Sequence, residues 1–137
     1  MSEIDAPRLA ALLDTLLPAS EDGRMPSAAT LDFPSYLKRQ APDFEPPLAA
    51  ILAQFEDDFA ERPLAARVER VQDYARREAA TFQTLLLRVY DCYYQNAQVR
   101  ELIGCRAAPL FPGSVDLPAG DFGSLAAVQA RGKGYRR

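Results

Sequence analysis

Residues 64–103 contain neither proline nor glycine, although the 137-residue chain has 11 prolines and 7 glycines. Forty residues free of the two strongest helix breakers predict helix throughout. A single helix of that length would run roughly 60 Å at 1.5 Å per residue, several times the ~14 Å radius of gyration expected of a chain this size. A break is therefore expected near residues 76–80. The helix before it opens on Pro63 and carries Leu64, Val68, Val71 and Ala75 on one stripe. The helix after it carries Phe82, Leu85, Leu86, Val89, Tyr90 and Tyr93. It is the most hydrophobic in the chain, and the expectation is that it lies at the centre of the fold. Asn96 is placed to cap a short following helix that buries Val99, Leu102 and Ile103, with Gly104 suited to its left-handed exit.

Before this window, prolines at 7, 18, 26, 34, 42, 46, 47 and 63 fall near the ends of short helical patterns, where a missing N–H does little harm. Leu9, Leu12, Leu13, Leu16 and Leu17 repeat at i, i+3, i+4, i+7 and i+8, which predicts a first amphipathic helix stopped by Pro18. Phe33, Tyr36 and Leu37 around Pro34 predict one or two further turns. Leu48, Ile51, Leu52, Phe55 and Phe59 predict a third helix, with Glu56, Asp57, Asp58 and Glu61 on its other side. That acidic cluster reads as a solvated face in preference to paired catalytic carboxylates or a hard-metal site. No window alternates with period two, so no sheet is expected. From residue 105 onward the chain turns irregular, APLFPGSVDLPAGDFGSL, before a helical scrap that ends in RGKGYRR. Leu110, Phe111, Leu117 and Phe122 either fold over the chain's own helices or are lent to a partner. The fold class expected is all-α: one domain over residues 1–137, a compact bundle of about five to six short helices (1–104) with an irregular, extended C-terminal segment (105–137).

Composition narrows the chemistry. With 48% hydrophobic and 26% charged residues the chain falls in the globular range, and no stretch is long and apolar enough to span a membrane. There is no histidine, which removes Ser/His/Asp and Cys/His nucleophile systems and imidazole metal sites. A net charge of −3 argues against a nucleic-acid footprint. The terminus is nevertheless basic through Arg131, Lys133, Arg136 and Arg137, either a solvated tail or a clamp on an acidic partner. Cys92 and Cys105, the only thiols, lack the second pair of a zinc ribbon and are expected as free, buried or partly buried thiols, with a disulfide left open. The acidic N-terminus shows no targeting signal, so a cytoplasmic location is expected. Gly132-Lys133-Gly134 lacks the rest of a phosphate-binding loop. Tyr90, Tyr93 and Tyr94 at helical spacing read as core or interface residues whose hydroxyls find partners. Fourteen of the 16 basic residues are arginine, a residue favoured at interfaces. A chain so composed reads as a subunit or a free-standing helical adaptor. An enzyme without histidine, built on Tyr94 or Asp91, is the remaining alternative.

The segments LLDTLLPASEDGRMPSAATLDFPSYL, FQTLLLRVYDCYYQNAQVRELIG and PLFPG, taken in order, resemble the gluconate 2-dehydrogenase subunit 3 family. The resemblance covers residues 9–113 and is carried by a helix ending in Leu-Pro, the Pro-Ser-Ala that follows, Tyr93-Tyr94, Val99, Gly104 and Pro-x-x-Pro-Gly at 109–113, with a weaker echo in Arg131-Gly132 and Tyr135-Arg136. It implies a non-catalytic helical subunit with no cofactor of its own. Such a subunit binds, stabilises and helps mature a large flavoprotein of the glucose-methanol-choline type that holds FAD and oxidises a sugar or polyol, sometimes with a cytochrome c subunit as electron acceptor. Many family members carry a twin-arginine signal. This sequence shows none, which favours a cytoplasmic complex or periplasmic location by co-export on a partner's signal. Cys105 stands where the family often has tyrosine, and Asn96 where aspartate is common. On this reading the partner-contacting residues are Tyr94, Phe111, Pro112, Phe122, Arg131 and Tyr135.

Overall fold

In the first eleven helical residues the leucine stripe and its stop signals act together. Asp5 caps helix α1 (Ala6–Leu16) by accepting from the Arg8 N–H at 3.0 Å, and Pro7 occupies the first turn. Leu9, Leu12 and Leu13 are buried, and Leu16 and Leu17 pack against them. The computed structural model describes residues 4–105, 120 and 122–131. The chain divides into two units, Met1–Ala107 and Ala108–Arg137.

The first unit continues through a 3-10 turn (Ala28–Thr30) capped by Ser27, then α2 (Phe33–Gln40), capped by Asp32 with Pro34 in its first turn. A second 3-10 turn (Pro42–Phe44) runs directly into α3 (Glu45–Leu52). The stripe through Phe55 and Phe59 led to the expectation of a longer helix. Helix α3 instead stops at Leu52, and Phe55 and Phe59 reach the core from a turn and from a 3-10 segment (Phe59–Glu61). Two forces end the helix there. Glu56, Asp57 and Asp58 would place negative charge at its negative C-terminal end. In addition, Arg8 of α1 donates to the Leu52 carbonyl at 3.2 Å and to Asp57 at 2.8 Å. The acidic cluster is therefore not one helix face: it is held by arginines, with Asp58 on Arg62 at 3.1 Å and Glu56 on Arg70 at 3.4 Å.

Helices α4 (Leu64–Arg77) and α5 (Ala79–Gln95) are separated at Glu78 (φ −126°, ψ 52°), inside the expected break. Asn96 caps α6 (Ala97–Leu102), accepting from the Val99 N–H at 3.2 Å, and Gly104 leaves it at φ +81°. The expected stripe on α4 needs rotating. Leu64 is exposed, and Tyr74 joins Val71 in the core. Phe55, Tyr74 and Phe82 make a run of ring contacts, 5.6 Å and then 6.4 Å between centroids, which ties the α3 exit to α4 and α5. Arg67 draws α4 onto α1, donating to the Ala11 carbonyl at 2.9 Å and to Asp14 at 3.0 Å; the other Asp14 oxygen accepts the Ser27 hydroxyl at 2.7 Å.

Helix α5 is not the central helix that its hydrophobicity suggested. It buries Leu85, Val89 and Tyr93 and leaves its opposite side open. Leu102 and Ile103 on α6 are likewise exposed, and only Val99 there reaches the core. Among the described residues there is no strand, and no helix is long and apolar enough to cross a membrane. In the second unit the described residues form a 3-10 turn (Phe122–Leu125) leading into α7 (Ala126–Ala130). The extended segment expected over 105–137 otherwise lies outside the described residues.

Candidate partner-binding surface

Successive residues on an α-helix are turned by about 100°, so the three consecutive leucines 85–87 spread over roughly 200° of α5, wider than the stripe that one packed face hides. Leu85 takes the core and is fully buried. Leu86 lies at the edge, and Leu87 points outward, 61% exposed. Tyr90 and Tyr94, three and seven residues further on, continue the outward stripe at 40% and 47% exposure. The same helix therefore carries two apolar faces, and only one of them is covered.

The open face is held in place from behind. The Tyr93 hydroxyl, on the covered side, donates to the Pro26 carbonyl at 2.7 Å. Its ring meets that of Tyr94 edge-on at 5.2 Å, and Tyr94 lies 6.3 Å from Tyr90. Helix α2 grips α5 through a second set of polar contacts. The Tyr36 hydroxyl donates to Asp91 at 2.6 Å, Gln95 donates to the other Asp91 oxygen at 2.9 Å, and the amides of Gln40 and Gln95 exchange hydrogen bonds at 2.7 and 3.1 Å. The Tyr36 hydroxyl, with Gln95 second, holds the Asp91 carboxyl below its ordinary value. Burial, with Asp91 second, pushes the Tyr36 hydroxyl above its own. Both Asp91 oxygens are thus engaged, one joining α5 to α2 through Tyr36 and the other bonded to Gln95 within α5.

Beside the open stripe, the last turn of α4 and the first turns of α5 enclose a groove of about 270 Å³. Ala75 and Ala79 provide its small residues, and Phe82, Gln83, Leu86, Leu87 and Tyr90 its larger ones. An apolar groove continued by aromatic side chains, with no charged group lining it, suits an apolar ridge on another polypeptide.

Of the six interface residues expected from sequence, Tyr94 lies on this surface. Phe122 opens the 3-10 turn and Arg131 closes α7 in the second unit, where the Arg131 N–H reaches the Val128 carbonyl at 3.3 Å. Phe111, Pro112 and Tyr135 lie outside the described residues. Of the tyrosines that read as core or interface, Tyr93 is buried and Tyr90, like Tyr94, is exposed; Leu87 belongs to no stripe read from the sequence. The leucine triplet was the available signal. The groove itself, made by two alanines on either side of Glu78, has no local sequence mark.

The two thiols are free. Cys92 is half-buried, and burial pushes its thiol above the ordinary value, whereas Cys105 is exposed, against the expectation that it is at least partly buried. Among the described residues no group of three acidic or thiol side chains is placed to hold a metal ion. Compared with family models, with curated proteins and with solved structures, the chain matches none.

Proposed function

We propose that this chain is the non-catalytic small subunit of an oxidoreductase complex, binding, stabilising and helping to mature an FAD-dependent sugar or polyol dehydrogenase of the glucose-methanol-choline type. One observation supports the binding part above all. In residues 4–105 every large apolar side chain left exposed belongs to residues 64–103: Leu64, Leu87, Tyr90, Tyr94, Leu102 and Ile103. Scattered single apolar residues on a surface need no explanation, but Leu87, Tyr90 and Tyr94 share one outward stripe of α5 beside the groove, and such a stripe supports a covered face. The choice of a flavoprotein as the partner rests on the sequence resemblance over residues 9–113.

On this reading FAD and the substrate-oxidising residues belong to the large subunit, and a cytochrome c subunit can accept the electrons. This chain contributes surface. The test is affinity purification of the full chain from its native cell under mild conditions, followed by an absorbance spectrum and mass determination. A yellow eluate containing a large FAD-bearing polypeptide is the expected result. A colourless, soluble, partner-free chain contradicts it and leaves the free-standing helical adaptor as the account.

A further inference from the structure

Resting on the reading of this chain as a flavoprotein subunit, we infer that Tyr93, itself buried, is a positioning residue for the partner surface: its ring holds Tyr94, and through Tyr94 also Tyr90, in the arrangement that the large subunit meets. Three observations carry this.

The first is a contact that helix geometry does not supply by itself. Neighbouring residues on a helix are turned about 100° apart, and side chains at i and i+1 do not face each other. The rings of Tyr93 and Tyr94 nevertheless meet edge-on, with 87° between their planes and 5.2 Å between their centroids, an arrangement that aromatic pairs favour. Tyr93 is 4% exposed and Tyr94 47%. One ring of the pair is therefore fixed in the core, and the other leans on it from the solvent side.

The second is the anchor behind Tyr93. Its hydroxyl donates at 2.7 Å to the carbonyl of Pro26, sixty-seven residues earlier. Burial pushes that hydroxyl above its ordinary value, so it keeps its proton and its role as donor at neutral pH. The acceptor belongs to a closed loop. The Ser20 N–H donates to the Met25 carbonyl at 3.1 Å, the Met25 N–H to the Ser20 hydroxyl at 2.9 Å, and the Ala28 N–H to the Leu17 carbonyl at 2.9 Å. Gly23 turns the loop at φ +69°, a conformation that suits glycine.

The third is what Tyr94 lacks. Among the described residues its hydroxyl has no hydrogen-bond partner, so the rings of Tyr93 and of Tyr90, 6.3 Å away, are what direct it. An exposed tyrosine left to sample its rotamers loses that freedom when a partner binds, and one directed beforehand loses less.

The test is a competition inside the native cell. The unaltered full chain and a variant, carrying tags of different mass, are produced together. Their ratio in the purified flavoprotein complex, divided by their ratio in the soluble fraction outside it, is read by mass spectrometry. Tyr93→Leu removes the ring edge and should be under-represented in the complex about three- to tenfold. In a Tyr94→Ala background the same substitution should bring no further loss from the complex, while the lowered melting temperature that it causes persists in both backgrounds. Where Tyr93→Leu fails to accumulate, Tyr93→Phe, which loses only the hydroxyl and its bond to Pro26, reads the same cycle with a loss of about twofold. Incorporation equal to that of the unaltered chain overturns the inference. So does an equal loss with and without Tyr94, which would make Tyr93 a residue of the fold alone; in both cases the subunit assignment stands. Absence of any flavoprotein from the purified material overturns the subunit assignment, and the inference with it.

Discussion

The two halves of the helical body treat their apolar residues differently. Among the described residues twenty-one apolar ones are buried; fifteen of them precede Pro63, and no large apolar side chain described before it is exposed. From residue 64 to residue 105 only six apolar residues are buried, while six large ones face outward. The first half spends short helices and 3-10 turns on closing a core around Leu12, Phe33, Leu37 and Phe59. The second half lays longer helices over that core and keeps an apolar side to spare. Folding accounts for the first distribution, since buried apolar area stabilises the chain. It does not account for the second, because the outward residues of α5 add nothing to the core beneath them.

The comparison can be broken by substitution, and the largest effects belong to the first half. Phe59→Ala should cost about 3–5 kcal/mol, because Phe59 is fully buried and its ring packs, tilted, 4.6 Å from that of Phe55. A denaturant midpoint no lower than that of the unaltered chain would remove the distinction. Arg67→Ala should cost about 1.5 kcal/mol, because its side chain is only 13% exposed and it takes one donor each from Asp14 and the Ala11 carbonyl, which keep the hydroxyls of Ser27 and Thr15. Thermal unfolding of the isolated chain reads this directly.

The α2–α5 contact sharpens the comparison through pH. Asp91 titrates below its ordinary value when folded, so the stability it contributes is complete above the ordinary carboxylate range and is lost as pH falls through its depressed value. Tyr36 titrates above its ordinary value, so its contribution is complete below that value and is lost as pH rises through the raised one. Tyr36→Phe should cost about 1 kcal/mol at neutral pH and flatten the acid side of the stability profile, which urea melts across a pH series measure. Leu87→Ala comes last, with a stability change within about 0.5 kcal/mol. Its effect should appear only in the amount of partner recovered with the chain, the reverse of Phe59→Ala.

Local chemistry made much of this fold legible. The α1 leucines, the break at Glu78, the Asn96 cap and the positive φ of Gly104 each follow from a residue and its near neighbours. The features that sequence misplaced depend on distant ones. Helix α3 ends at Leu52 partly because Arg8, forty-four residues earlier, takes its carbonyl, and a leucine-and-phenylalanine stripe cannot distinguish helix from turn once every member is buried. Tyr74 reaches the core through Phe55 and Phe82, which lie on other segments. For the candidate surface, Tyr94 was readable as an aromatic at helical spacing. For Tyr90 the sequence leaves core and interface open, and Leu87 carries no mark of its own, because hydrophobicity alone does not say which of two apolar faces a helix covers.

Hydroxyl-radical footprinting of the chain alone and of the chain within its purified complex tests the central claim most directly, since it reads side-chain exposure residue by residue. The account predicts that labelling of Leu87, Tyr90 and Tyr94 falls sharply in the complex, while Phe33, Leu37 and Phe59 stay unlabelled in both. Equal labelling of Leu87, Tyr90 and Tyr94 with and without the partner would contradict it.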